Sequence, residues 1–326
     1  MYKACITGIG SYVPEHVLTN ADLERMVETS DEWIVTRTGI SERRIAAPWQ
    51  ATSDLAYHAA EAAIAHAGLT ADQIDMIIVA TSTPDHPFPP VACQLQHRLG
   101  CRHIPAYDLG ATCVGFLSAL ETAAQFIATG KHKHILVVGA DTLSRVTDYT
   151  DRTTCILFSD GAGAFLLSRQ EEGRDQGILH TATHADGAHF PHLYVPGGGS
   201  RHPQPVAPDT KAKIVMDGRK IFKLAVTSMA QTVRETIQAA GIDASDIDWL
   251  IPHQANQRII DAVAEQLAFP PEKVISTVKH YGNNSAATIP LAVDQAVRDG
   301  RIRRGDTLLL VAFGGGLVWG SILLTY

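Results

Sequence analysis

An internal repeat constrains the fold of this chain more than any other feature of its sequence. The segment AGLTADQIDMIIVA (67–80) shares six identities in fourteen positions with the later segment AGIDASDIDWLIPH (240–253). At the same offset, the apolar run ILVVGAD (135–141) aligns with the apolar run LLLVAFG (308–314). Two matches in one register indicate a duplicated unit, and 326 residues are enough for two domains of ordinary size.

Each copy has the pattern of an α/β unit. The Ala-rich segments SDLAYHAAEAAIAHAGL and FKLAVTSMAQTVRETIQAAGI have helical periodicity and end at glycine. Continuous apolar runs such as HILVVGAD and TLLLVAFG are typical of buried strands, so we expect a largely parallel sheet in each copy. The Gly- and Pro-rich stretch 195–213 has the composition of a linker before the second copy. The sequence predicts an N-terminal half over residues 1–172 and a C-terminal half over residues 173–326.

Composition narrows the class of protein. The chain is 45% hydrophobic and 19% charged, which is typical of a soluble globular protein. No apolar run reaches the about 20 residues that span a bilayer, and no secretory leader is evident, so we expect a cytoplasmic protein and no membrane partner. A formal net charge of −7 argues against nucleic acid as the main partner. Five cysteines without a CxxC pair indicate free thiols.

One basic run stands out against this acidic background. It lies in KAKIVMDGRKIFK (211–223) and contains five cations: Lys211, Lys213, Arg219, Lys220 and Lys223. Such a run is either a solvated helix face or a surface for an acidic partner, and its sequence alone does not distinguish these two interpretations.

A cysteine stands where a helix is expected to begin, in DLGATCVGFLSAL (108–120). Unpaired N–H groups and the macrodipole at a helix start favour a thiolate, and such positions can lower a Cys pKa to about 3.5–7.5. The same N–H groups can bind an oxyanion. Cysteine is also among the most frequently buried residues, so Cys113 is either a nucleophile or an inert core residue.

Three further segments are candidates for the same site. His253, in PHQANQRI, follows a predicted strand, and ligands bind at the carboxyl ends of strands in open α/β sheets. Asn283 and Asn284, in YGNNSAATIP, either form a turn or present a carboxamide opposite Cys113, because the repeat makes the two helix starts equivalent. The glycines of AFGGGLVWG permit close backbone approach and suit an oxyanion hole.

Other ligand sites are not predicted. The GxG segments ITGIGSYV and DGAGAFLL lack the third glycine and the strand-then-helix context of a dinucleotide site. His184, His189 and His192 lack the cysteine or carboxylate pattern of a metal site, so no metal is expected.

Taken in order, ATCVGF, PHQANQRI, YGNNSAATIP and AFGGGLVWG resemble the β-ketoacyl-[acyl-carrier-protein] synthase III family of the thiolase superfamily. TSDEWIVTRTGISERRI near the start and DRTTCILFSDGAGA before the second half also match. The resemblance covers nearly the whole chain. It implies an α/β fold, a thiolase-like five-layered αβαβα sandwich built from two duplicated α/β halves.

The resemblance also implies roles for individual residues. Cys113 is similar to the nucleophile that accepts the acyl group, and His253 and Asn283 are similar to the other two catalytic residues. Gly315 is similar to the residue whose N–H completes an oxyanion hole with that of Cys113. The remaining implied contacts are Trp33, Arg37 and Arg152 for coenzyme A, Lys223 and Arg258 for the acyl carrier protein, and Phe88 for the acyl pocket of a partner subunit in a homodimer.

The implied reaction joins acetyl-CoA, or another short acyl-CoA primer, to malonyl-acyl-carrier protein. Its products are 3-oxoacyl-acyl-carrier protein, CoA and CO2, and it initiates fatty-acid biosynthesis without a cofactor. The sequence departs from the family at Thr112, Val114 and Asn284, which leaves the primer length open.

The residues alone, without the family resemblance, are also compatible with other functions. A related Cys-His-Asn condensing enzyme of secondary metabolism would use another acyl-CoA or malonyl donor. A Cys-dependent thioester hydrolase would use His as the base that activates the thiol, as papain-like enzymes do. The duplicated scaffold and the distant Gly-rich loop argue against hydrolysis, and the intact Cys-His-Asn set argues against a purely binding protein.

Overall fold

The structure is a computed structural model that describes residues 2–170, 176–203 and 212–326. Its strands are β1 (Lys3–Tyr12), β2 (His16–Thr19), β3 (Glu42–Ile45), β4 (Met76–Ala80), β5 (Ala106–Leu109), β6 (His134–Thr142), β7 (Asp160–Gln170), β8 (Gly177–Ala185), β9 (Leu193–Tyr194), β10 (Val215–Met216), β11 (Trp249–Pro252), β12 (Thr307–Gly314) and β13 (Val318–Thr325). Its α-helices are α1 (Asn20–Glu24), α2 (Asp31–Thr38), α3 (Thr52–His66), α4 (Val91–Arg98), α5 (Gly115–Ala128), α6 (Gly218–Ala240), α7 (Gln257–Gln266), α8 (Val278–Tyr281) and α9 (Thr288–Arg298).

The predicted repeat is confirmed in the positions of the elements. β4 begins at Met76 and β11 at Trp249, which is the offset that aligns the two copies in the sequence. The same offset separates the starts of β6 and β12, and those of α5 and α9. A short 3-10 turn precedes each of these helices, at Thr112–Val114 and at Ser285–Ala287. Each copy therefore contains an equivalent turn before its helix, and the sequence predicts a catalytic group at this turn.

Two main sheets form the framework. The first has the order β1-β7-β6-β4-β5 and the second has the order β11-β12-β13-β8. Only β4 with β5, β4 with β6, and β11 with β12 pair in parallel among these strands. The expectation of largely parallel sheets was wrong, because β13 follows β12 through a tight glycine turn and must return antiparallel to it.

Successive side chains along each strand point to opposite faces of the sheet. Helices pack on both faces, and the result is five layers. In β4, Ile78 faces the helices α5 and α9 at the centre, whereas Ile77 and Val79 face α3 and α4 outside. In β12, Leu310 faces the central helices and Leu309 faces α6 and α7. Each sheet is thus covered on both faces, as its continuous apolar strands require. The predicted αβαβα sandwich is confirmed.

The predicted boundary between the halves falls at residues 172 and 173, which lie outside the described residues, so the boundary stays a prediction. The first main sheet uses strands up to Gln170 and the second uses strands from Gly177 onward. The Gly- and Pro-rich stretch 195–213 is described only in part, because 204–211 also lie outside. Among the described helices, none combines the length and the apolar character needed to cross a membrane.

Glycine is required in β6, at the point where the start of helix α9 packs against the first main sheet. A Cβ at Gly139 of β6 would lie 2.3 Å from the carbonyl oxygen of Ala286. We expect Gly139→Ala to lower the free energy of unfolding by about 1–3 kcal/mol, because backbone must move to admit the methyl group. The matched control is Gly187→Ala, where a Cβ would have no atom within 4 Å. Denaturant unfolding of both variants tests this, and equal stabilities would contradict the contact.

Candidate active site

Cys113 is held at the start of α5 by a contact with the Gly-rich loop. The turn that carries it has Thr112 in the left-handed region, with φ of 45°. Thr112 Oγ1 donates a hydrogen bond to the carbonyl of Gly315 at 2.9 Å. A Cβ at Gly314 would lie 2.4 Å from Thr112 Oγ1 and 3.0 Å from the backbone nitrogen of Cys113. The glycine therefore lets strand β12 end directly against the cysteine turn.

His253 immediately follows β11, as the sequence predicts. Its backbone N–H donates to the carbonyl of Val311 at 2.7 Å, which continues the parallel pairing with β12. The side chain is 3% exposed, and its Nδ1 lies 2.7 Å from Thr288 Oγ1. Burial lowers the pKa of His253 to about 3, so the imidazole is neutral at physiological pH.

Asn283 is fixed through its backbone and through its side-chain oxygen. Its N–H donates to Leu157 at 2.9 Å, and its carbonyl accepts from Ser159 at 2.9 Å. Its Oδ1 accepts from the N–H of Ser285, also at 2.9 Å. Because the amide oxygen is occupied in this way, the Nδ2 group is the part of the side chain left to donate into the cavity.

One cavity of about 310 Å³ brings these residues together. Cys113, His253 and Asn283 all line it, although they come from segments far apart in the chain. Trp33 and Arg37 line the same cavity. Its apolar wall includes Ile156, Leu157, Phe158, Phe222, Ala225, Met229 and Phe313.

A second cavity, of about 550 Å³, also reaches Cys113. Gly315 lines this cavity, together with Ser285 and Thr112. Its apolar lining consists of Leu143, Val146, Phe158, Phe190, Leu193, Tyr194, Val195 and Ile214. Sequence analysis did not identify this cavity, because its wall comes from segments with no shared motif. The Cys113 side chain is accessible only in part and stands between the two cavities.

The thiol is protonated at rest, although the start of a helix by itself favours a thiolate. Burial raises the pKa of Cys113 to about 12, and the negative charge of Asp141 also raises it. The neighbouring Ser285 side chain acts in the opposite direction but is the smaller effect. Desolvation of the sulfur is thus the largest influence on its pKa.

The three residues expected at coenzyme A form a cluster beside the first cavity. Trp33 lies in the first turn of α2, and the guanidinium carbons of Arg37 and Arg152 are 5.6 and 5.2 Å from its ring centroid. These distances suit cation–π contacts. Arg152 does not line the cavity; its Nη1 donates to the carbonyl of Glu28 at 2.9 Å.

The two residues expected at a carrier protein adjoin the cavity. Lys223 on α6 and Arg258 at the start of α7 are both exposed. The Arg258 guanidinium carbon lies 5.6 Å from the ring of Phe222, which lines the cavity. A basic surface therefore stands beside the opening near Phe222.

The rest of the basic run divides between two environments. Arg219 and Lys220 are exposed on α6, and Lys220 Nζ lies 3.7 Å from Asp217. Lys213 is half-buried before the helix, where its Nζ donates to the carbonyl of Arg145 at 3.0 Å, so it does not belong to the solvated helix face. Lys211 lies outside the described residues.

Phe88 lines neither cavity of its own protomer. Its side chain is 83% exposed, which is unusual for a large apolar residue. Its predicted place in a partner subunit is not tested by a single chain and stays a prediction.

Three polar residues around the site are not indicated as such by the sequence: Asp141, Ser285 and Thr288. Ser285 and Thr288 lie within the quoted segment YGNNSAATIP, and Asp141 ends the apolar run of β6. The repeat could have indicated Ser285, because it is the counterpart of Thr112 beside the cysteine.

Comparison with known proteins agrees with this geometry. Residues 107–187 match the family model described as 3-oxoacyl-[acyl-carrier-protein] synthase III, and residues 237–326 match the model of its C-terminal part. β-Ketoacyl-[acyl-carrier-protein] synthase III of Thioalkalivibrio sulfidiphilus is 53% identical over 326 residues, covering 100% of both chains. The chain belongs to the β-ketoacyl-[acyl-carrier-protein] synthase III family. It is therefore a condensing acyltransferase, and the predicted family and enzyme class are confirmed.

Further relatives of this synthase III family support the same assignment. The protein of that name from Rhodospirillum centenum is 51% identical over 99% of both chains. The crystal structure of 3-oxoacyl-[acyl-carrier-protein] synthase III from Aquifex aeolicus matches with a TM-score of 0.93 and 45% identity, covering 99% of this chain and 100% of that one. The fold of the chain is thus that of the Aquifex aeolicus enzyme.

The neutral state of His253 has a consequence for stability. The unfolded chain takes up a proton on this imidazole below about pH 6.5, whereas the folded protein does not until about pH 3. Its contribution to stability is therefore complete above about pH 6.5 and is lost as the pH falls. We expect the wild type to lose about 2 kcal/mol more than His253→Gln between about pH 7 and about pH 5. Urea unfolding at both pH values measures the difference; parallel losses would show that the imidazole is not held neutral.

Proposed function

We propose that this chain catalyses the decarboxylative Claisen condensation of acetyl-CoA, or another short acyl-CoA primer, with malonyl-acyl-carrier protein. The products are 3-oxoacyl-acyl-carrier protein, CoA and CO2, and the reaction initiates fatty-acid biosynthesis. The observation that carries the proposal is that a thiol, a neutral imidazole and a free amide donor line one cavity.

The first half-reaction loads the primer. The Cys113 sulfur attacks the thioester carbonyl, CoA departs, and the acyl group stays on the enzyme as a thioester. The N–H groups of Cys113 and Gly315 stabilise the oxyanion of the tetrahedral intermediate. The apolar wall of the first cavity suits the pantetheine arm, and the cluster of Trp33, Arg37 and Arg152 suits the nucleotide.

The second half-reaction forms the carbon–carbon bond. Loss of CO2 from the malonyl group leaves an enolate, whose oxygen accepts hydrogen bonds from His253 Nε2 and Asn283 Nδ2. The imidazole must be neutral with its hydrogen on Nε2, so the Thr288 hydroxyl must donate to Nδ1, at 2.7 Å, rather than to the Ser285 carbonyl, which lies 3.0 Å from it. The carbanion then attacks the Cys113 thioester, and the sulfur is released.

The second cavity suits the acyl chain of the loaded enzyme. It is apolar, it reaches Cys113, and it lies apart from the cluster of Trp33 and the two arginines. We propose a cytoplasmic homodimer in which Phe88 of each subunit completes this pocket in the other. The exposure of the Phe88 side chain supports that arrangement. None of the steps calls for a cofactor beyond the CoA thioester itself.

Separate assays of the two half-reactions test which residues are needed for loading of the acyl group and which for decarboxylation. Labelled acetyl-CoA should leave label on the wild type, and Cys113→Ala should abolish it because no acceptor sulfur remains. His253→Ala and Asn283→Ala should still take up label but release CO2 from malonyl-carrier protein at least about 10²-fold more slowly, since each removes a donor to the enolate. Label that persists on Cys113→Ala, or equal loss of both half-reactions in the other variants, would refute these roles.

Charge reversal tests the carrier-protein surface. We expect Lys223→Glu and Arg258→Glu to raise the KM for malonyl-carrier protein about tenfold, because each replaces attraction for an acidic partner by repulsion. The KM for acetyl-CoA should change much less. The matched control is Lys131→Glu, an equally exposed cation at the opposite end of α5 from Cys113. Steady-state kinetics with both substrates decides, and an unchanged KM for the carrier substrate would remove the docking role.

A further inference from the structure

Arg43 is a buried cation for which the proposed function has no role. It lies in β3 and is 0% exposed, although arginine is almost never fully buried without a partner of opposite charge. Burial lowers the pKa of Arg43 to about 10, so the guanidinium is still charged at physiological pH. Burying a charge is costly, and the position of this one therefore needs an explanation.

The guanidinium of Arg43 donates to two neutral acceptors. Its Nε donates to the Ile156 carbonyl at 2.9 Å, and its Nη2 donates to the same oxygen. Its Nη1 donates to Asn20 Oδ1. The amide of Asn20 is itself held, because its Nδ2 donates to Asp31 Oδ1 at 2.7 Å and to the Ile40 carbonyl at 3.0 Å. The guanidinium is thus fixed in one orientation, between an anchored amide and a backbone carbonyl.

The carbonyl that Arg43 holds belongs to the segment on which Asn283 is mounted. This segment, residues 156–159, forms an isolated parallel bridge with Asn283. The Leu157 carbonyl accepts from the Asn283 N–H, and the Ser159 N–H donates to the Asn283 carbonyl, both at 2.9 Å. Arg43 therefore fixes one end of the segment to which both backbone groups of Asn283 are bonded.

The aliphatic stem of Arg43 supports the same residue from a second side. A Cβ at Gly282 would lie 3.3 Å from Arg43 Cγ and 3.0 Å from the Leu157 carbonyl oxygen. Gly282 has φ of 56°, so the backbone turns there with no side chain in between. The turn immediately before Asn283 accordingly packs on the arginine stem, while the guanidinium holds the bonded segment.

The other two reacting side chains are held by different contacts. Cys113 is fixed by the contact of its turn with the Gly-rich loop, and His253 is fixed by strand β12 and by Thr288. Neither Arg43 nor the segment 156–159 takes part in these contacts. The support that Arg43 gives is directed at the amide.

We propose that Arg43 is a positioning residue for the condensation, which holds the segment 156–159 and the turn at Gly282 so that Asn283 Nδ2 points at the enolate oxygen. The proposal rests on the function given above. Arg43 lines neither cavity and acts only through Asn283. A group in an active site must be held within about 0.5 Å of its productive position, and a displacement of about 1 Å can slow a reaction about 10²-fold.

Arginine suits this task better than other long side chains. Its planar fork of donors can give two hydrogen bonds to one carbonyl and a third to Asn20, all with fixed directions. A lysine amine has no such fork, and an apolar side chain has no donor. The identity of the residue therefore matters for the aim of the amide, not only for filling the space.

Arg43→Met tests the role, because it keeps a long side chain and removes every donor. Ile156 and Leu157 line the first cavity, so both half-reactions are measured at saturating substrate. We expect release of CO2 from malonyl-carrier protein to become about 10²-fold slower, because Asn283 Nδ2 is displaced. Single-turnover labelling by acetyl-CoA should stay within about threefold of the wild type, since the supports of Cys113 are intact. Equal loss of both half-reactions would overturn the proposal.

A double-mutant cycle with Asn283 separates positioning from general damage. If Arg43 acts through Asn283, Arg43→Met should not slow CO2 release any further in a protein that already carries Asn283→Ala. A defect spread through the fold would slow both backgrounds alike. A further fall of about 10²-fold in the Asn283→Ala background would therefore contradict the positioning role.

Thr236→Val is the control for lost stability. It removes a buried hydrogen bond between Thr236 Oγ1 and Ser321 Oγ, at 2.7 Å, in side chains that line neither cavity. Both half-reactions should keep their wild-type rates in this variant. If Thr236→Val slowed CO2 release as much as Arg43→Met does, instability alone would explain the effect and the proposal would be wrong.

Arg43→Lys keeps the test usable if Arg43→Met does not fold. It retains the buried cation and one donor for the Ile156 carbonyl but lacks the fork. We expect CO2 release about tenfold slower than in the wild type, with labelling by acetyl-CoA unchanged, because the segment is held less exactly. A wild-type rate of CO2 release in Arg43→Lys would show that the fork is not needed and would overturn the proposal.

These outcomes are distinct from a failure of the proposed function. If the wild type released no CO2 from malonyl-carrier protein, or if Asn283→Ala matched the wild type, the condensation or the role of its amide would be wrong. If those two behaved as expected and Arg43→Met released CO2 normally, only the positioning role of Arg43 would be wrong.

Discussion

The active site depends on a close contact between the two halves of the molecule. The central helices α5 and α9 begin between the two sheets, and each start packs against a glycine in a strand from the opposite half. Ala286 lies against Gly139, and Cys113 lies against Gly314. A side chain at either glycine would force backbone apart. Because strand ends and helix starts meet in this way, His253, Asn283 and the Gly-rich loop all reach the sulfur, although none is near it in the chain.

Burial is the main cause of the charge states of the reacting groups. The same dry environment keeps the Cys113 thiol protonated and His253 neutral. For the imidazole this is the state that the proposed condensation requires. The thiol, in contrast, must lose its proton in order to attack, since a protonated sulfur is a poor nucleophile.

Much of the architecture could be predicted from the sequence, because the repeat is in register over strands and helices alike. Its constant offset correctly paired the two helix starts, and it correctly set His253 at the end of a strand. The protonation state of Cys113 could not be predicted, because the depth of burial that raises the pKa of its thiol depends on side chains from the whole sandwich. Ser285 and Asp141 were missed for a related reason: a serine in a turn and an aspartate after an apolar run are ordinary locally. The contacts of Trp33, Lys223 and Phe88 were expected from family resemblance, not from any pattern in the residues.

The position of Cys113 between two cavities bears on the order of events. A group bound to the sulfur can lie in the second cavity while the first is emptied and refilled, so the enzyme can retain one substrate fragment after its carrier has gone. The two thioester carriers need never be bound together. Such a protein is expected to show ping-pong kinetics. At high concentration each carrier should inhibit, because it occupies the enzyme form, free or acylated, with which the other carrier reacts. The kinetic order then follows from the shape of the interior rather than from any switch in conformation.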